Sequence, residues 1–282
     1  MNNTQYIGIR GHRGSGKNTV AYLLGNTIQF IIDNYMTHMG LVMKYASQLL
    51  QDPVFSVTYK VWCDAIKADE TGSIEEMDAR NVYFDSFGDT PRILLQLITN
   101  IPNDYFNSDY YKDHIIVNLK DFSWKIEDSD LVLLSLADAE TVIKGVDREG
   151  FDCSHIYLSL REFIIYFAKV CMKYLGNDVW VKSMRCSENK GYDDYYNVGT
   201  VYKIFRDIKA PSELTYVKDH NGIIIEVERP AFKKSDKGVE SLDGDERRDY
   251  KLTIKEDIST DEQLKKDIVN IALEIILKNN EK

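Results

Sequence analysis

Gly11, Gly14, Gly16, Lys17 and Thr19 stand at a spacing that can wrap an anion. In the run Gly11-His12-Arg13-Gly14-Ser15-Gly16-Lys17-Asn18-Thr19, the glycines let successive backbone N–H groups turn inward around phosphate oxygens. A helix opening at the end of the run adds a positive dipole end, and Lys17 adds a full charge. The chemistry this predicts is a grip on the phosphates of ATP or a similar nucleotide, made by Gly11, Arg13, Gly14, Ser15, Gly16, Lys17, Asn18 and Thr19. A strict P-loop places Ser or Thr directly after the lysine. Here Asn18 follows Lys17, so Thr19 is the hydroxyl expected to hold Mg²⁺. Arg13 has two readings, an approach to the transferred phosphoryl group or a solvated loop arginine. The bland alternative for the whole run is a glycine turn that happens to precede a lysine. It requires strand context, glycine spacing, Lys17 and Thr19 to coincide.

The flanking residues supply that context. Residues 6–10 (YIGIR) are β-prone, and residues 18–34 carry apolar side chains at helical spacing, so the run reads as strand, loop, helix. A second strand is expected at 81–87 (NVYFDSF), followed by a buried helix at 92–98 (RILLQLI). Residues 36–80 read as a helical insertion with Phe55, Tyr59, Trp62 and Ile66 on one stripe, ending in an acidic turn, ETGSIEEMD. The stripe is read as core rather than as a platform for a base. Residues 100–155 are polar and irregular, with β-prone runs at 114–119 and 131–136, one of them a small hairpin. Helical periodicity returns at 160–175. Strands are expected at 198–205, 222–227 and 250–254, with a helix between the first two and a last amphipathic helix at 261–277 behind an Asp or Ser-Thr cap. Strand, helix, strand is a crossover unit, which implies a parallel sheet. The charged segment 233–249 reads as a solvated loop, with closure over ATP as the alternative.

Composition narrows the class. With 35 basic and 45 acidic residues the formal charge is −10, so a broad positive surface tracking a nucleic acid is not expected. Apolar residues at 44% and charged residues at 28% are those of a folded globular chain. Cys63, Cys153, Cys171 and Cys186 form no CxxC pair, and the five histidines show no ligand spacing, so neither a disulfide framework nor a structural metal is expected. Reduced thiols fit a cytoplasmic location. No apolar run approaches the roughly 18 residues that span a bilayer, and MNNTQY has neither part of a signal peptide.

The spacing GxxGxGKxT resembles that of nucleoside monophosphate kinases. Phe87-Gly88-Asp89-Thr90-Pro91-Arg92 is similar to the FA-x-P-[LI]-K segment of phage deoxynucleoside monophosphate kinases, with Arg92 for lysine. Leu160-Arg161-Glu162-Phe163, then Gly176 and Trp180-Val181, resembles that family's [VL]-R-x-[LF] helix and later W-V pair, without its GT-[DE]. Residues 205–213 (FRDIKAPSE) resemble D-[VI]-R-x-x-x-E, with Lys209 for arginine, and Arg229-Pro230 matches an R-P at the end of the next strand.

The resemblance spans residues 6–230. It implies an α/β P-loop kinase fold, a parallel sheet flanked by helices, in a single domain over 1–282 with the insertion at 36–80 and an irregular acceptor-side region at 100–155. It further implies ATP-dependent phosphorylation of a deoxynucleoside monophosphate, with ATP and Mg²⁺ as cofactors, a homodimer, and a host cytoplasm if the chain is phage-encoded. Lys17, Arg161 and Asp207 are then the catalytic candidates, and Arg92, Arg161 and Lys209 the acceptor-phosphate ligands.

Each has a plainer alternative. For Arg161 it is an ion pair with Glu162 or a neighbour, for Asp207 a helix N-cap, for Glu213 and Lys209 a surface pair, and for Arg229 a solvated strand end. Two other functions stay open: a coenzyme-precursor kinase, and a nucleotide-binding regulatory protein without turnover.

Overall fold

The computed structural model of the chain describes residues 4–12, 14–35, 45–68, 81–118, 157–188, 200–230, 242, 245–255 and 257–280. Arg13, the acidic turn at 70–78, the run at 131–136 and most of the loop at 233–249 lie outside them. The elements in chain order are β1 (Thr4–Arg10), α1 (Lys17–Tyr35), α2 (Tyr45–Gln51), α3 (Pro53–Ala68), β2 (Val82–Asp85), α4 (Asp89–Thr99), α5 (Asn103–Asn107), α6 (Asp109–His114) and β3 (Ile116–Asn118). They continue with β4 (Tyr157–Ser159), α7 (Leu160–Leu175), α8 (Val179–Glu188), β5 (Val201–Ile208), α9 (Pro211–Asp219), β6 (Ile223–Glu228), β7 (Tyr250–Thr253) and α10 (Glu262–Asn280). The chain divides into two compact units, one of Met1–Ala68, Glu75–Ser86 and Asp194–Lys282, the other of Asp69–Ile74 and Phe87–Asp193.

The first unit is built on a five-stranded parallel sheet in the order β2-β5-β1-β6-β7. Both faces are apolar, as a parallel sheet covered on both sides requires. Successive side chains alternate between faces, and the partners follow that alternation. Ile7, Ile9, Ile204, Ile225 and Val227 join one core with Leu23, Leu24 and Ile28 of α1 and Ile268, Ala272 and Ile275 of α10. Tyr6 and Phe205 point the other way, where their rings meet Tyr216 of α9.

Residues 36–80 do hold helices, and the aromatic stripe is core as expected: Phe55, Tyr59 and Trp62 of α3 are buried against Phe30. The expected Asp cap is also present. Asp261 accepts from the N–H of Leu264 at the start of α10 at 2.9 Å and from the N–H of Lys255 at 3.2 Å. Asp261→Ala removes both acceptors and should cost about 1–2 kcal/mol in a denaturant titration.

The second unit is mainly helical. Its only strands among the described residues, β3 and β4, form a two-stranded antiparallel ribbon, so the β-prone run at 114–119 is a small ribbon and not part of the main sheet. Phe106, Phe163, Phe167 and Trp180 are buried in it. Ser159 caps α7: its hydroxyl accepts from the N–H of Glu162, whose carboxylate accepts from the N–H of Ser159. Among the described residues, no helix is long and apolar enough to cross a membrane.

Candidate functional site

β1 ends at Arg10 and α1 opens at Lys17, so the glycine run joins a central strand to a helix. In such sheets ligands bind outside the carboxyl ends of the strands, where neighbouring connections diverge. β1 leads through α1 towards β2 on one side, while its neighbour β6 leads towards β7 on the other, and the run therefore sits at the point of divergence. The first hydrogen bond of α1 is from Val20 N–H to Gly16 C=O. The N–H groups of Lys17, Asn18 and Thr19 precede any intrahelical acceptor.

The glycines are needed for close approach. Gly11 has φ +151°, and a Cβ there would lie 2.3 Å from the carbonyl oxygen of Val227 in β6 and 2.8 Å from the hydroxyl of Ser15. That hydroxyl is buried and has no hydrogen-bond partner among the described residues. Gly16 has φ +88° and packs on Ile254.

The loop closes around Lys17, which is 9% exposed. Its ammonium donates to the carbonyls of Gly11 at 2.8 Å and His12 at 2.9 Å, and lies 3.6 Å from the carboxylate of Asp207. Burial pulls the Lys17 ammonium below its ordinary pKa, Asp207 opposes that fall, and Lys209 adds to it. The Lys209 ammonium is 2.5 Å from the other oxygen of Asp207. Asp207 thus sits between two ammonium groups at the mouth of the loop.

Asp207 reaches this position through an irregularity. From Gly8 to Arg10, β1 advances by two residues while β5 advances by three, from Phe205 to Ile208. A bulge of this kind re-aims a side chain at a site rim. The N-cap reading of Asp207 is corrected, because α9 begins four residues later with Ala210 at the cap position and Pro211 next.

Glu213 is corrected too. It is a buried residue, not a surface partner of Lys209, and its carboxylate accepts from the main-chain N–H groups of Lys209 at 2.7 Å and Ala210 at 3.0 Å. It therefore pins the turn that presents Lys209. Burial raises its pKa to about 7, against the opposing hydrogen bonds from Lys209 and Ala210.

The native state consequently holds this proton where the unfolded chain has lost it. Stability should fall as pH rises from the unfolded value near 4.5 to about 7, by about 3 kcal/mol for this group. Glu213→Gln keeps an acceptor and should flatten that part of the stability profile, measured by urea unfolding across pH.

Arg92 and Arg161 belong to the second unit. The Arg161 guanidinium is paired with Asp113 of α6 through Nε and, at 3.2 Å, through one terminal nitrogen. The partner is thus a neighbour on another helix, while the Glu162 carboxylate completes the Ser159 capping box of α7. Arg92 donates to Asp89 one turn earlier at 2.8 Å. Arg229 follows the end of β6 and is half-buried.

Arg10 gave no signal in the sequence beyond a charge at a strand end, yet it is 4% exposed. It lies 3.3 Å from Glu226 on β6 and donates to the carbonyl of Asp245 at 2.6 Å. Arg248 holds the other oxygen of Glu226 at 3.1 Å. Arg247 holds the Asp245 carboxylate and keeps its pKa down at about 2. The network anchors residues 245–248 beside the strand that carries the glycine loop. A strand-end arginine with an acidic residue in register on the neighbouring strand is a signal only once the pairing is known.

The structure thus brings Gly11, Ser15, Gly16, Lys17, Asp207 and Lys209 together in one unit, with Asn18 exposed and Thr19 half-buried on the first turn of α1. No family model matches the chain, and no curated protein matches it.

Proposed function

We propose that this chain is a P-loop phosphotransferase that moves a phosphoryl group from ATP to a deoxynucleoside monophosphate. The observation that carries the reading is the buried Lys17 ammonium, with Lys209 across Asp207, beside a glycine cradle whose first helical N–H groups have no intrahelical acceptor. Such a site favours a polyanion, and phosphoryl transfer asks the protein mainly for positioning and charge compensation. Lys17 would hold the outer phosphates of ATP. Lys209 would neutralise charge on the group in transfer, held in place by Glu213.

The residues present fit a hard cation. Asp207 offers a carboxylate, Thr19 a hydroxyl on the first helical turn, and the buried Ser15 hydroxyl lacks a partner among the described residues. When bound with the nucleotide, Mg²⁺ would supply charge neutralisation across its phosphates.

The acceptor class rests on the resemblance at Arg92 and Arg161. One observation favours a second reading, a nucleotide-binding protein without turnover: both arginines already bind carboxylates of their own unit. An ADP-release assay with ATP and Mg²⁺ against the four deoxynucleoside monophosphates separates the two. Turnover with at least one acceptor supports the kinase. Tight ATP binding with no turnover on any of the four sinks the acceptor assignment and favours the second reading.

A further inference from the structure

Helix α3 is amphipathic in an unusual sense, because both of its long faces are apolar. Asp52 caps it by accepting from the N–H of Val54 at 2.8 Å, and Pro53 fills the first position, where no N–H is needed. Phe55, Tyr59, Trp62 and Cys63 point into the core. On the opposite side Val54, Val57 and Val61 are 62%, 65% and 57% exposed, and Ala65 and Ala68 continue the line. Single exposed apolar residues are ordinary. Five at steps of three, four, four and three form the narrow seam of a helix pair. Valine is also a poor choice for a solvated helix position, since its branched side chain loses rotamer freedom there.

The charges beside the seam say what covers it. Lys60 and Asp64 are exposed on the same flank of α3, and neither makes an ion pair among the described residues, whereas Lys67 one turn on is bound to Asp257 at 2.7 Å. A lysine and an aspartate on one flank are self-complementary about a two-fold axis. With two α3 helices antiparallel and Val61 at the axis, Val57 faces the partner's Ala65 and Val54 the partner's Ala68. Lys60 then reaches the partner's Asp64 on each side of the axis. Valine against alanine on both sides of the central Val61 pair keeps the helix axes about 8–10 Å apart. The contact is isologous and closes on itself.

We propose that α3 is a self-association surface and that its partner is α3 of a second copy of this chain. One helix pair lies at the small end of specific interfaces, so the dimer is weak and reversible, with a dissociation constant on the order of 10 µM.

The test is sedimentation of the full chain over a range of about 1–300 µM, without nucleotide, so that its outcome is independent of the phosphotransferase reading. A monomer–dimer equilibrium is expected. Val57→Glu with Val61→Glu should weaken it at least tenfold while circular dichroism stays native. Lys60→Asp alone should also weaken it, by placing two aspartates against each other, and Lys60→Asp with Asp64→Lys should restore it. A monomer at every concentration overturns the proposal. So does a dimer that persists in the double glutamate variant, or a charge exchange that fails to restore association.

Discussion

Lys17→Ala is expected to remove ATP binding from the measurable range and to lower phosphoryl transfer by at least about a thousandfold. The ammonium it deletes is held by two loop carbonyls at 2.8 and 2.9 Å, so it is preorganised, and charge placed in a water-poor site acts more strongly than charge in solvent. The fold should survive. Lys17 is held below its ordinary pKa by burial, so its ammonium is costly to keep, and Asp207 retains Lys209 at 2.5 Å once Lys17 is gone. A melting temperature close to that of the parent chain, alongside lost binding of a fluorescent ATP analogue, is the expected pattern. Lys17→Arg should recover little, because a planar fork cannot take the place of a compact ammonium between the Gly11 and His12 carbonyls. ATP binding within tenfold of the parent in Lys17→Ala would remove the basis of the proposed function.

Gly11→Ala should have the largest effect on stability of any single methyl group added in the loop. The new Cβ would meet the Val227 carbonyl oxygen at 2.3 Å, which is main chain of the adjacent strand and cannot rotate away. The residue would also keep φ near +151°. Strain and displacement together should cost about 3 kcal/mol or more, a fall of roughly 6–12 °C in a calorimetric scan. Gly14 is the internal comparison, exposed and with φ +75°. Gly14→Ala carries the conformational cost alone, about 1 kcal/mol. Equal shifts for the two variants would show that contact with β6 is not what confines Gly11.

Much of the first unit was legible because its signals are local. Residues 6–10, 198–205 and 222–227 are rich in β-branched and aromatic residues, which marks strands, and the glycine run could be placed between a strand and a helix. What escaped is set by pairing. The one-residue slip at Arg206 and Asp207 leaves no trace in composition, since it exists only between β5 and β1. Glu213 sits four residues after Lys209 and looks like half of a surface pair. Pro211 at the start of α9 turns the chain so that the carboxylate meets two main-chain N–H groups instead. Arg161 shows the same limit in the second unit, because its partner Asp113 lies on another helix. Arg10 is a further case, a strand-end charge without a reading of its own in the sequence that is buried beside Glu226.

The strand order has a consequence for how the protein is made. β1 leaves the ribosome long before its two neighbours in the sheet, β5 and β6, with Thr4 paired to Val201 and Ile7 to Ile223, about 200 residues downstream. At roughly 5–20 residues per second, the strand that bears the glycine loop waits on the order of 10–40 s for a native partner. Contacts this distant along the chain are slow to form, and an unpaired apolar strand is open to wrong partners meanwhile. Release from the ribosome before β6 is complete would leave that strand without one side of its sheet, so shortened chains ending near residue 220 should need chaperones that the full chain does not.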